Sequence, residues 1–164
     1  MPSILHTITT GSAVKWPPSE ARRLARIASA VVVAGLVLLS PAAAQTDRDN
    51  AESVATAWLR GIDGGDLSAL YDQYGGPTLR QGVDKQQFIE QAGIIRIQTG
   101  GPATMRTLVG DQEFHQTPTG QRGTFHYFRY RARFPSGSAV FEDVYLEMAN
   151  GGWKVAGVWL RPAQ

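Results

Sequence analysis

Three observations predict an α+β fold for this 164-residue chain. Apolar residues recur at helical spacing between about residues 51 and 99, and beyond Pro102 the apolar period shortens to two. Turn residues then divide the remainder into four segments, joined by links too short to hold crossover helices. Helices first and strands afterwards predict two to three N-terminal helices packed on a curved four-stranded antiparallel sheet, preceded by a signal peptide.

The leader comes first. Arg22, Arg23 and Arg26 precede the mostly apolar run Ile27 to Leu39, followed by Ser40, Pro41 and Ala42-Ala43-Ala44 before Gln45. A basic region, an apolar region and an A-x-A site in this order predict a signal peptide with an N-terminal extension over residues 1–44, cleaved between Ala44 and Gln45. A single α+β domain over 45–164 follows. The apolar run falls short of the ~20 residues of a membrane span, so no membrane contact is expected after cleavage. Arg22-Arg23 lacks the bulky apolar pair expected of a twin-arginine signal and does not choose the export route. The predicted location is the periplasm, or the outside, of a bacterial cell. The leader also explains the charge. Of 16 Lys and Arg and 14 Asp and Glu, four bases and one acid lie before residue 45, leaving 12 bases against 13 acids, a net of −1. The chain has no cysteine, which removes disulfides, thiol catalysis and cysteine metal sites.

In the domain, apolar residues at 51, 54, 55, 58, 59 and 62 predict a helix capped by Asp49 and closed by Gly64-Gly65. Asp66 caps a short second helix carrying Leu67, Leu70, Tyr71 and Tyr74, ended by Gly75-Gly76-Pro77. Asp84 and Gln87 form a capping box for a third, through Phe88, Ala92 and Ile95 to Gly100-Gly101-Pro102. Strands are predicted over 103–115, interrupted at Gly110, then 124–134, 139–148 and 152–161. Asn150-Gly151 is a two-residue hairpin turn. Setting Ala149 against Gly152 places Met148 opposite Trp153, Leu146 opposite Val155, Val144 opposite Gly157 and Glu142 opposite Trp159, with Glu147 opposite Lys154 on the other face.

Ala57-Trp58-Leu59 with Ile62-Asp63, Arg96 with Gly101-Pro102 and Arg106, Pro118-Thr119-Gly120, Glu142, and Gly152-Trp153-Lys154-Val155-Ala156-Gly157 together resemble a family of exported bacterial domains known only as domain of unknown function 4019. The resemblance covers nearly all of residues 50 to 161. It departs after the final glycine, where an aromatic is expected and this chain has Val158, with Trp159 next. It implies export and a cone-shaped α+β fold akin to the nuclear-transport-factor-2 and cystatin-like architectures, and it implies no activity.

The register turns Glu142 to the side of Val140, Val144, Leu146 and Met148. A buried carboxylate must hold a cation or keep its proton, and Arg96 and Arg106 are the candidate partners. On the concave side of such a sheet, Glu142, Tyr130 and Trp159 would line a ligand pocket with those arginines. The alternative is a structural Glu–Arg pair tying helix to sheet. No catalytic residue is assigned. His115 and His126 stand outside any metal-ligand spacing, and no metal or cofactor is expected. Ser68, Ser136 and Ser138 lack a nucleophile-elbow motif.

The opposite sheet face carries Phe125, Tyr127, Arg129, Arg131 and Arg133, answered by Asp143 and Glu147. Phe141, Tyr145, Val158 and Leu160 are placed there too, making it more apolar than a wet surface requires. A homodimer or an envelope protein is the expected partner, through the face of Arg129, Arg131 and Tyr145. Export and the net charge of −1 argue against nucleic acid. The predicted function is an exported, non-enzymatic binding or accessory module. The alternative is a small-molecule enzyme using Glu142 as general acid or base.

Overall fold

The computed structural model describes residues 41–163. The expected leader lies outside the described residues except for 41–44, which open the first helix. This helix, α1 (Pro41–Gly64), starts well before the predicted Ala51. Asp49 is therefore not its cap; it lies inside the helix and accepts a hydrogen bond from the Gln45 side chain at 2.8 Å. Alanines favour helix more than any other residue, and proline is tolerated at the first helical position, so Pro41-Ala42-Ala43-Ala44 propagates α1 backwards.

α2 (Leu67–Tyr74) begins as expected at Asp66, whose carboxylate accepts from the amides of Ser68 and Ala69. α3 (Pro77–Gly82) is an addition to the predicted set. Proline ends one helix but equally starts another, because the amide it lacks has no partner in a first turn. α4 (Lys85–Thr99) opens on the predicted Asp84–Gln87 capping box and closes at Gly100, whose φ of 75° is the left-handed cap that glycine adopts without strain.

The sheet runs β1 (Met105–Gln116), β2 (Arg122–Arg133), β3 (Ala139–Ala149) and β4 (Gly152–Pro162), antiparallel and in that order. β1 is irregular where Gly110 predicts it, with Val109 left over between the pairs Leu108–Tyr130 and Gly110–Arg129. Asn150 and Gly151 both take positive φ, 53° and 77°, as the two-residue hairpin requires. The β3–β4 register follows the prediction from Ala149–Gly152 to Leu146–Val155 and then departs. A bulge inserts one extra residue into β4, so Tyr145 faces Gly157, Asp143 faces Trp159 and Glu142 faces Leu160. The predicted pairs Val144–Gly157 and Glu142–Trp159 do not form. Ala156 and Gly157 supply almost no side chain to hold phase, and one extra residue exchanges the two sides of everything after it.

The helices cover one sheet face, with α1 packed on β2, β3 and β4 and α3 beside β4. Between the layers lie Trp58 and Leu59 of α1, Leu70 and Tyr71 of α2, Phe88 of α4, and Phe128, Val144, Leu146 and Val155 of the sheet. The bulge sends Val158, expected outside, towards this core. Leu160, also expected outside, takes the inner-face position opposite Glu142 and is 38% exposed. Met148, expected inside, is exposed near the hairpin tip.

Candidate functional site

The predicted site divides into two places. At the first, Arg106 of β1 lies between two carboxylates. It donates to Glu142 of β3 from Nε to Oε2 at 2.5 Å and from Nη2 to Oε1 at 2.9 Å. It also donates to Asp63 of α1 from Nη1 to Oδ2 at 2.6 Å and from Nη2 to Oδ1 at 3.0 Å. Burial opposes the guanidinium charge, but the bonds to Asp63 and Glu142 outweigh it and raise the Arg106 pKa. Asp63 Oδ1 accepts from the Ala103 amide as well, so the cluster ties the end of α1 to the start of β1 and to β3. The Glu142 side chain is 4% exposed and both its oxygens are engaged. Tyr130 stands beside it in the β2–β3 register, its hydroxyl 3.4 Å from Thr56 Oγ1.

Arg96 and Trp159 are elsewhere. Arg96, on α4, donates to the carbonyls of Gly61, Ile62 and Gly65. It is a cationic cap on the C-terminal end of α1, where unpaired carbonyls and the helix dipole favour positive charge. Arg80 does the same for α2, donating to the carbonyls of Tyr71, Asp72 and Gly75. Trp159 is on the far side of the sheet because of the β4 bulge, 42% exposed and edge-on to Tyr145 with centroids 4.7 Å apart.

That far side is the second place. Its residues form rows across the strands: Thr107, Arg131, Phe141 and Arg161; then Gly110, Arg129, Asp143 and Trp159; then Gln112, Tyr127, Tyr145 and Gly157. At its centre Asp143 is 1% exposed although no helix covers it. The Tyr127 hydroxyl and Arg129 Nε donate to its Oδ1 at 2.8 and 2.7 Å, and Arg129 and Arg161 donate to its Oδ2. The Arg129 guanidinium also lies 5.5 Å from the ring centroids of both Tyr127 and Phe141. Burial, then donation to Asp143, pushes the Tyr127 pKa well above the usual phenol value. Glu147 is opposite Lys154 as expected, yet both its oxygens accept from Thr78, from the amide at 2.8 Å and the hydroxyl at 2.6 Å, which caps α3. Lys154 instead donates to the Gln73 carbonyl.

His126 is buried, stacked on Phe128 and 3.1 Å from Asp111 Oδ2, itself held by Arg48. Among the described residues no three His, Cys, Asp or Glu side chains gather as metal ligands would, and no helix is long and apolar enough to cross a membrane.

The family model described as "Protein of unknown function (DUF4019)" matches residues 54–158, well over half of the chain. The chain belongs to this family. The matched span runs from α1 into β4 and includes Asp63, Arg106, Glu142 and Asp143. The 1.8 Å structure of Aln2 from a Streptomyces species is similar with a TM-score of 0.46 and 13% identity, over 76% of this chain and 94% of that chain. No curated protein matches.

Of the residues grouped by sequence reasoning, the structure brings Arg106 to Glu142 and sets Tyr130 in register with it; Asp63 and the central place of Asp143 were missed. Asp63 follows the last apolar position of α1, and an acid there is drawn to a strand arginine. Asp143 lies between aromatic positions opposite Arg129, a pairing that is visible in the sequence; its burial is not, because that depends on Arg161 arriving on the same face after the bulge.

Proposed function

We propose that the chain is a non-enzymatic binding or accessory module of the bacterial cell envelope, exported by its leader and acting through the open sheet face. The observation that carries this reading is the contrast between the two faces. On the helix side each Glu142 oxygen accepts from Arg106, which Asp63 also holds, so the carboxylate is committed to a structural ion pair rather than presented to a ligand. On the other side aromatic and arginine side chains, the types enriched at protein contacts, lie without a covering layer. A cone-shaped fold of the kind the resemblance implies would have its concave side filled here by α1, α2 and α4.

The test is photo-crosslinking in the producing cell, with a benzoylphenylalanine placed at Tyr145 or, as control, at Gln98 of α4. A specific adduct from position 145 alone supports the module. Equal trapping from both positions, or from neither, defeats it. N-terminal sequencing of the exported protein is expected to begin at Gln45; a product retaining residues before 40 would refute the leader.

A further inference from the structure

The charges of the domain are sorted by layer. Residues 41–99 carry eight acids and five bases, residues 100–164 seven bases and five acids. On the open face the polarity is sharper. Its two acids are already engaged, Asp143 with Arg129 and Arg161 and Glu147 with the start of α3. Arg131 and Arg133 are exposed and, among the described residues, paired with no carboxylate. They are neighbours on one face of β2, about 7 Å apart, since each strand residue rises by about 3.4 Å and they are two residues apart. An extended peptide crossing this face in the direction of β2 has the same repeat, so its alternate residues fall on successive arginines.

Resting on the reading of this face as a docking surface, we propose that it recognises an acidic extended segment of a partner protein, with carboxylates at alternate positions facing Arg131 and Arg133. An apolar residue of the segment then meets the ledge formed by Phe141, Tyr145 and Trp159. Two features favour this occupant over a second copy of the chain. Stacking the face on itself opposes unpaired arginines with no unpaired acid to answer them. Four strands about 4.8 Å apart and five rows about 7 Å apart also make a patch of roughly 670 Å², short of the roughly 800 Å² that each partner buries in a standard stable interface. Nucleic acid is disfavoured by the rings themselves. The Arg129 guanidinium lies over Tyr127 and Phe141 and occupies ring faces on which bases would stack.

The test measures anisotropy of a fluorescein-labelled peptide of alternating Glu and Thr added to the purified protein. Alternating Lys and Thr peptide, oligothymidylate and phosphatidylglycerol vesicles are the competing probes. The Glu peptide is expected to bind, and to weaken about tenfold in the Arg131→Gln/Arg133→Gln variant and on raising salt several-fold. Arg60→Gln, an exposed cation on the helix side, is expected to bind as the parent does. Equal affinity in the double variant, no binding of the Glu peptide, or preference for vesicles or oligothymidylate overturns the proposal. So does a reversible dimer, seen by sedimentation, that the double variant strengthens by removing like charge. If position 145 still traps a partner in the cell while the Glu peptide fails to bind, the docking face stands and only its acidic specificity falls.

Discussion

Replacing Glu142 by glutamine tests whether the carboxylate is structural. Glutamine preserves the volume but offers one acceptor oxygen where two are used, so one Arg106 N–H group is left facing an amide NH2. A charge-assisted hydrogen bond contributes about 1.5–3 kcal/mol. Asp63 remains bidentate to Arg106, which keeps the loss below the about 3–5 kcal/mol of a buried charge stripped of its only partner. The expected cost is about 2 kcal/mol, out of the roughly 5–15 kcal/mol typical of a small domain. The control is Asp72→Asn. Lys85 and Asp72 are also 2.5 Å apart, but their side chains are 40% and 57% exposed, and a solvated pair contributes under about 1 kcal/mol. Urea unfolding followed by circular dichroism measures both. If Glu142→Gln costs no more than Asp72→Asn, or stabilises the fold, the structural assignment is wrong and the carboxylate becomes a candidate for ligand binding again.

Gly76→Ala would drive a Cβ into hard overlap with Glu147 Oε1, with that carboxylate fixed on Thr78; a loss of about 1–3 kcal/mol and faster amide exchange at Thr78 are expected, and unchanged exchange would refute the capping role. Tyr127, Tyr130 and Tyr145 all have pKa values raised above 10.0, burial being the largest cause in each. Stability from such groups is complete below the unfolded value and declines above it, so unfolding free energy should fall from pH 10 upward, with the phenolates of these three tyrosines, read by site-specific labelling, appearing only as the protein unfolds. Asp111 is shifted the other way, lowered from 3.8 chiefly by the hydrogen bond from Arg48, with His126 adding. Its contribution is present above that value and is lost as pH falls below it, so Asp111→Asn should flatten the acid limb of a stability–pH curve measured by chemical denaturation.

The elements written in local chemistry were legible in the sequence. Asp66 and the Asp84–Gln87 pair cap their helices as read, and Asn150-Gly151 sets the hairpin and the four residue pairs nearest to it. What was not legible depends on a residue serving two purposes or on a count of one. The alanines before Gln45 fit a cleavage site and also extend α1. Pro77 stops α2 and starts α3. The bulge in β4 is silent because Ala156 and Gly157 carry no pattern, and with it went the placement of Trp159, Val158 and Leu160. The need for a cation at Glu142 was anticipated from the cost of burying a charge and the resemblance supplied Arg96 and Arg106 as candidates, but the choice between them required knowing that Arg96 reaches the end of α1 first.

The bulge also makes β4 two half-strands of opposite phase. Trp153 and Val155 anchor the first half inward, while Trp159 and Arg161 turn outward in the second. Each half still alternates, so Lys154 of the first half faces outward and Val158 of the second packs on the core, and both layers depend on the phase of the same eleven residues. Deleting Ala156 would, in one step, drive the Arg161 guanidinium inward, leave Asp143 short of a cation and expose Val158 to water, so this segment should accept many substitutions and almost no change in length.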